Sequence, residues 1–202
     1  TWVRMTATGV SFVVPVHNGE RCVGDALAAI LAEGGGQVLE VIAVDDGSTD
    51  GSAAILRAFE SRSGVRVLRT AGMGAAAAMN LGIRAATHQV ICLVDQDVVL
   101  KPGWLASILA PFDDPAVGAV QGRFVVDPDA PAVARVAAMD VEQRYAAVGA
   151  GPTSHVCTGN SAYRAEALRE AGLFDESFGY GYDNDLSYRL SDAGYELRYC
   201  PD

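Results

Sequence analysis

The chain has 202 residues, half of them hydrophobic, and its 25 Asp and Glu outweigh 15 Lys and Arg to give a formal net charge of −10. That size and apolar content suit one domain with a full core. The acidic balance argues against nucleic acid and against an anionic membrane surface, both of which call for a basic face, and no apolar stretch approaches the ~20 residues of a membrane-spanning helix.

Residues 1–9 carry no signal-peptide pattern and read as a linker. Residues 10–16 are an apolar run containing Pro15 and predict a first buried strand. His17, Asn18 and Gly19 are turn chemistry. Val23, Leu27, Ile30 and Leu31 then recur at helical spacing until Gly34, Gly35 and Gly36 end the helix. Residues 39–44 predict a second buried strand, which ends on Asp45 and Asp46. Ser48, Thr49 or Asp50 can cap the next helix, whose apolar face carries Ile55, Leu56 and Phe59. Residues 65–68 predict a short third strand, and Gly72 and Gly74 open a helix with Ala76, Met79 and Ile83 on one face. Residues 90–94 are Val, Ile, Cys, Leu and Val, a strand buried on both faces as in a parallel sheet, and the chain leaves it at Asp95 and Asp97.

Four strand–helix units in succession predict an α/β fold with a mostly parallel sheet flanked by helices. The second half is less regular and is expected to pack on one edge of that sheet. It predicts a helix over 102–112, a strand over 117–126 interrupted by Gly118 and Gly122, and a helical stripe of Val133, Ala137, Val141, Tyr145 and Val148. A mixed segment around Gly159 follows, then a short helix over 165–171 and a Gly- and aromatic-rich loop over 174–182. A helix over 183–193 and a strand over 195–199 close the chain. There is no internal repeat. Residues 10–202 are read as one domain, cut off at its C-terminal end and part of a larger polypeptide. Cys22, Cys92, Cys157 and Cys200 form no Cys-x-x-Cys pair and read as reduced residues. That fits a cytoplasmic setting, reaching the inner membrane surface only through segments outside this chain.

The chemistry concentrates at two strand ends. In open α/β sheets ligands bind beyond the carboxyl ends of the strands. Along an extended chain Asp95 and Asp97 point the same way. Two carboxylates there suit a divalent cation and a phosphorylated ligand, with a solvated acidic turn as the plain alternative. A second pair, Asp45 and Asp46, at the same edge shifts the balance toward a site, because two acidic pairs repel unless a cation or donor groups lie between them. No Gly-x-x-x-x-Gly-Lys loop is present to cradle phosphate instead.

Five motifs in order extend this picture. They are Pro15-Val16-His17-Asn18, then Asp45-Asp46-Gly47-Ser48-Thr49-Asp50-Gly51-Ser52, then Asn80-Leu81-Gly82 ahead of Asp95-Gln96-Asp97. Thr158-Gly159-Asn160-Ser161 and Tyr182-Asp183-Asn184-Asp185 complete the set. Together they resemble the family 2 glycosyltransferases of the GT-A fold, over nearly the whole chain. The resemblance implies metal-dependent transfer of a sugar from a nucleotide-diphosphate sugar, UDP-sugars favoured, to a hydroxyl of a glycan, a lipid-linked or a small-molecule acceptor. The family is mostly inverting. By similarity, Pro15, Val16 and His17 line the base pocket, Asp46 accepts a base N–H with Asp45 in support, and Asp95 reaches the ribose. Asp97, with Asp95, holds Mn²⁺ or Mg²⁺. Asn80, Gly159, Asn160 and Tyr182 count among the substrate-binding residues, with Gly159 and Asn160 on the acceptor side or in a plain turn. Asp183 stands where the family places its catalytic base, or is a simple helix cap. Asp185 and Arg189, at i and i+4, are expected to pair.

The chain also departs from the pattern. Tyr182 replaces the usual Glu before the base, and Met79, where many members have Arg, reads as core. A His that completes the metal site in many relatives lies beyond the last strand, and His155 reads as a loop residue. These departures motivate a second reading, a degenerate or truncated module that binds nucleotide sugar without turnover.

Overall fold

The computed structural model describes residues 9–34, 39–125, 135 and 149–201. The helical stripe of Val133 to Val148, Gly35 and Gly36, and the linker reading of residues 1–8 lie outside the described residues. The first half follows the predicted order. Strands β1 (Val10–Val16), β2 (Leu39–Asp46), β3 (Val65–Thr70) and β4 (Val90–Val94) alternate with helices α1 (Val23–Glu33), α2 (Ser52–Glu60) and α3 (Ala75–Ala85). These four strands are parallel, with β1 between β2 and β4.

Both faces of β1 are covered, which is why its run is apolar without alternation. Phe12, Val14 and Val16 pack with Leu27, Ile30 and Leu56 on one side. Val13 packs with Met79 and Ile83 of α3 on the other, so Met79 is core. Gly82 lets α3 approach closely, since a Cβ there would run into the Val13 side chain.

Several boundaries moved for local reasons. The 102–112 helix is instead α4 (Trp104–Leu109) followed by a 3-10 turn, Ala110–Asp113. Pro111 lies in that turn, and proline lacks the N–H that would continue an α-helix. The 117–126 strand is shorter, β5 (Val117–Gly122). A two-residue strand, β6 (Gly151–Pro152), carries no pattern that a sequence reading could find. Then come β7 (Asn160–Arg164), α5 (Ala165–Glu170), α6 (Tyr182–Asp192) and β8 (Glu196–Cys200).

The second half adds to one edge of the first sheet, as expected, and does so by continuing it past β4. The full order is β3-β2-β1-β4-β7-β5-β8-β6. Strand β7 runs antiparallel to both β4 and β5, and β8 is parallel to β5. Residue Asn160 of β7 pairs with Val94 of β4, so the start of β7 meets the end of β4. That reversal brings late-chain residues to the edge where Asp95 and Asp97 emerge.

Candidate functional site

The loops after β1 and β2 are tied together residue by residue. Asn18 has a left-handed backbone, φ 51°, which Asn tolerates better than most residues. Its Oδ1 accepts the Thr49 N–H at 2.8 Å, and its own N–H donates to Ser48 Oγ at 3.0 Å. The Gly19 N–H donates to Ser52 Oγ at 2.8 Å. Asp50 accepts from the Glu20 N–H, the Ser52 N–H and the Ser52 hydroxyl. The Ser48–Ser52 stretch therefore clamps two loops. The structural N-cap of α2 is Gly51 rather than Ser48, Thr49 or Asp50, although Asp50 serves the first helical N–H as a cap would.

Gln96 does a similar task between β1 and β4. Its amide accepts the His17 N–H at 3.0 Å and donates to the His17 carbonyl at 3.1 Å. The side chain thus extends the strand pairing by one rung past the end of β4. This residue was missed in the sequence, where it is simply the spacer between two aspartates. His17 is further fixed by Nδ1, 2.7 Å from the Asp46 carbonyl oxygen.

The two acidic pairs differ in environment. Asp46 is buried, and that burial works against its charge. Donors from Thr70 Oγ1, the Met73 N–H (2.7 Å) and the Gly74 N–H (2.8 Å) outweigh the burial and hold the carboxyl below the usual range. Asp45 accepts the Ser48 N–H at 3.0 Å and faces Arg69 at 3.8 Å. Asp95 receives no hydrogen bond to its carboxylate among the described residues. Burial, then the charges of Asp97 and Asp183, push it up to about 6. Asp95 and Asp97 are brought together by a tight turn, in which the Val98 N–H bonds the Asp95 carbonyl at 3.1 Å, and not by strand alternation.

Gly159 lies against Asp95. Its φ is +94°, and a Cβ there would run into the Asp95 carboxylate. Its carbonyl accepts the Asp95 N–H at 3.1 Å. From the far half comes the N-terminal turn of α6, with Tyr182 and Asp183. Tyr182 is braced edge-on by Phe174, with ring centroids 5.7 Å apart. Beside Asp183, and not foreseen, stands His155: Nε2 is 3.8 Å from Asp183 Oδ2 and 3.0 Å from Cys157 Sγ. Spacing gave no signal for this cluster, because residues 155 and 183 meet only through the fold. The Asp185–Arg189 pair forms as expected, at 2.6 Å.

A cleft of about 270 Å³ opens at this edge. Pro15, Val16, His17, Asp46, Asp95, Gln96, Asp97 and Tyr182 are among the residues that line it. Five of the predicted site residues do not line it, Asp183 among them, although its charge reaches Asp95. Asp45 is turned to its own loop and Arg69. Asn80 is buried, donating to the Phe174 carbonyl and Glu176 at 2.8 Å each and accepting the Phe174 N–H at 3.0 Å, so it anchors the 174–181 segment to α3. Asn160 lies behind the site, accepting from Trp104 Nε1 at 2.7 Å and donating to the Arg123 carbonyl at 2.8 Å. Gly159 acts through Asp95. For a cation, the donor set fits: Asp95 and Asp97 offer hard oxygen ligands, and their mutual repulsion is what a divalent ion relieves.

Comparison with known proteins agrees with this geometry. The family model described as glycosyl transferase family 2 matches residues 11–172. The chain is 36% identical over 203 residues to a pre-mycofactocin glycosyltransferase of Mycobacterium tuberculosis, covering 95% of this chain and 41% of that protein. It is 26% identical over 219 residues to a hyaluronan synthase of Pasteurella multocida, covering 90% of this chain and 22% of that one. The chain thus spans well under half the length of these relatives. Among solved structures, a mannosyltransferase from Pyrobaculum calidifontis in complex with GDP-Man and Mn²⁺ superposes with a TM-score of 0.80 at 24% identity, over all of this chain and 57% of that one. S. aureus TarS in complex with UDP-GlcNAc gives 0.77 at 17% identity, over 96% of this chain and 56% of that one. At these identities the likeness is one of fold, and the fold is GT-A.

Proposed function

The chain belongs to glycosyl transferase family 2, and from that premise we propose that it transfers a sugar from a nucleotide-diphosphate sugar to a hydroxyl acceptor, with inversion and with UDP-sugars favoured. The observation that carries the reading is that Asp95 and Asp97 line one cleft with Asp183 nearby, so that burial, then the charges of Asp97 and Asp183, push Asp95 up to about 6. Asp95 and Asp97, with no cationic partner among the described residues, suit a cation-dependent diphosphate site, and Asp183 supplies a base beside it.

The residues divide the work. Pro15, Val16 and His17 form a wall against which a planar base can lie. Asp46 spends three acceptor positions on Thr70, Met73 and Gly74. A carboxylate has roughly four such positions, so one remains for the N–H of a uracil-type base. Asp95 and Asp97 would hold Mn²⁺ or Mg²⁺, which when bound neutralises charge on the departing nucleoside diphosphate. Gln96 and Gly159 fix where those carboxylates stand. Asp183 takes the proton of the acceptor hydroxyl as that oxygen attacks the face opposite the leaving group. The acceptor is a glycan, a lipid-linked or a small-molecule hydroxyl compound. Tyr182 in place of an acid favours one competing reading, a nucleotide-sugar-binding module without turnover.

Asp183→Asn tests this. It should lower transfer by about 10²- to 10⁴-fold, the usual contribution of a positioned base. Nucleotide binding in the presence of Mn²⁺ should remain. Full activity in that variant overturns the assignment.

A further inference from the structure

We propose that His155, Cys157 and Asp183 form a second metal site, selective for a soft transition ion of the Zn²⁺ class and separate from the oxygen ligands Asp95 and Asp97. One ligand atom from each of the three lies within 4.8 Å of the others. His155 Nε2 is 3.0 Å from Cys157 Sγ and 3.8 Å from Asp183 Oδ2. A tetrahedral zinc with bonds of about 2.0–2.3 Å spaces its ligand atoms roughly 3.3–3.8 Å apart. The trio needs only small side-chain shifts to close on an ion.

The backbone under the trio is already fixed. His155 and Cys157 stand two apart with buried Val156 between them, so both side chains share one side of the segment. The Val156 N–H donates to Ser187 Oγ at 3.1 Å, and the Cys157 N–H donates to Gln121 Oε1 at 2.7 Å. Ser187 in turn donates to the Asp183 carbonyl at 2.8 Å, which couples the segment to α6. Such outer contacts are what orient metal ligands. All three side chains are only partly buried, so an ion can reach them. Three protein ligands leave a fourth position open to water.

The ligand types decide the ion. Thiolate and imidazole select zinc, whereas carboxylates alone suit Mn²⁺ and Mg²⁺. Binding releases the Cys157 thiol proton and occupies an Asp183 oxygen. Zinc should therefore inhibit transfer, a consequence that rests on the proposed role of Asp183 as base, while the site itself does not.

The test uses Co²⁺ as a spectroscopic stand-in for Zn²⁺ on the metal-stripped full chain, followed by zinc titration of transfer in saturating Mn²⁺. Wild-type protein should give a thiolate-to-cobalt charge-transfer band that Zn²⁺ abolishes by displacement. Cys157→Ser should lose the band, and His155→Gln should weaken binding by more than the roughly 100-fold that outer-shell changes cost. Zinc inhibition, taken relative to each variant's own zinc-free rate, should disappear in Cys157→Ser. Absence of the band in wild type overturns the site without needing any variant to fold. Inhibition that persists unchanged in Cys157→Ser also counts against it, since zinc then acts at Asp95 and Asp97. A band with no effect of zinc on transfer upholds the site and sinks the base role of Asp183.

Discussion

Two pairs of aspartates end strands on either side of β1, and the fold treats them in opposite ways. Asp45 and Asp46 are met by donors: three reach the Asp46 carboxylate, and a backbone N–H and Arg69 face Asp45. Asp95 is half-buried beside two further carboxylates, and its carboxylate receives no donor among the described residues. The first pair shapes the loops around the cleft, with Asp46 also on its wall. The second is left short of positive partners, and that shortage marks the place where a cation fits. Identical residue types at equivalent strand ends are thus distinguished by where the backbone donors go.

The sharpest way to break this comparison is to neutralise one member of each pair and look for opposite signs. In metal-free protein, Asp95 has a folded-state value of about 6 against 3.8 unfolded, so between these pH values the native state binds more protons. Stability therefore falls as pH rises through that window, by at most about 3 kcal/mol at 1.4 kcal/mol per pH unit. Asp95→Asn should remove the slope and stabilise the metal-free protein at pH 7. Asp46 is shifted the other way: its contribution is present above 3.8 and is lost as pH falls through its lowered value. Asp46→Asn should destabilise by about 1–3 kcal/mol, because donors are left without an acceptor. Denaturant unfolding at pH 4 to 7 with a chelator present reads both, and two changes of the same sign would contradict the contrast.

Gly159→Ala sharpens the Asp95 half. A side chain at φ +94° carries strain of about 1–3 kcal/mol and also displaces the Asp95 carboxylate. Calorimetry should show weaker Mn²⁺ binding as well as lower stability; a stability loss with unchanged Mn²⁺ affinity would separate Gly159 from the site. The smallest effect belongs to Gln96→Ala, which removes the two bonds to the His17 backbone at a net cost of about 1 kcal/mol. Its signature is increased hydrogen exchange at the His17 amide.

The first half of the fold was legible because its strands are continuous apolar runs and its helices carry clean apolar faces. The antiparallel insertion of β7 was not, because strand order depends on long-range pairing that local pattern does not encode. Of the motif residues, Pro15, Val16, His17, Asp46, Asp95, Asp97 and Tyr182 line the cleft. Asn80 and Asn160 belong to the same motifs yet hold the scaffold. Motif membership does not say which way a side chain turns, and both amides are consumed by backbone groups that only the fold brings near. His155 beside Asp183 was illegible for the same reason.

The central claim is that the β4 end is a cation-dependent site for a nucleoside diphosphate, and thermal unfolding of the wild-type chain with UDP tests it most directly. A ligand at a hundred times its Kd stabilises by about 2.7 kcal/mol, so UDP and Mn²⁺ together should raise Tm well beyond the sum of their separate shifts. Asp97→Asn should abolish that excess. A full shift with UDP alone in a chelator, or an excess that survives in Asp97→Asn, would contradict the account.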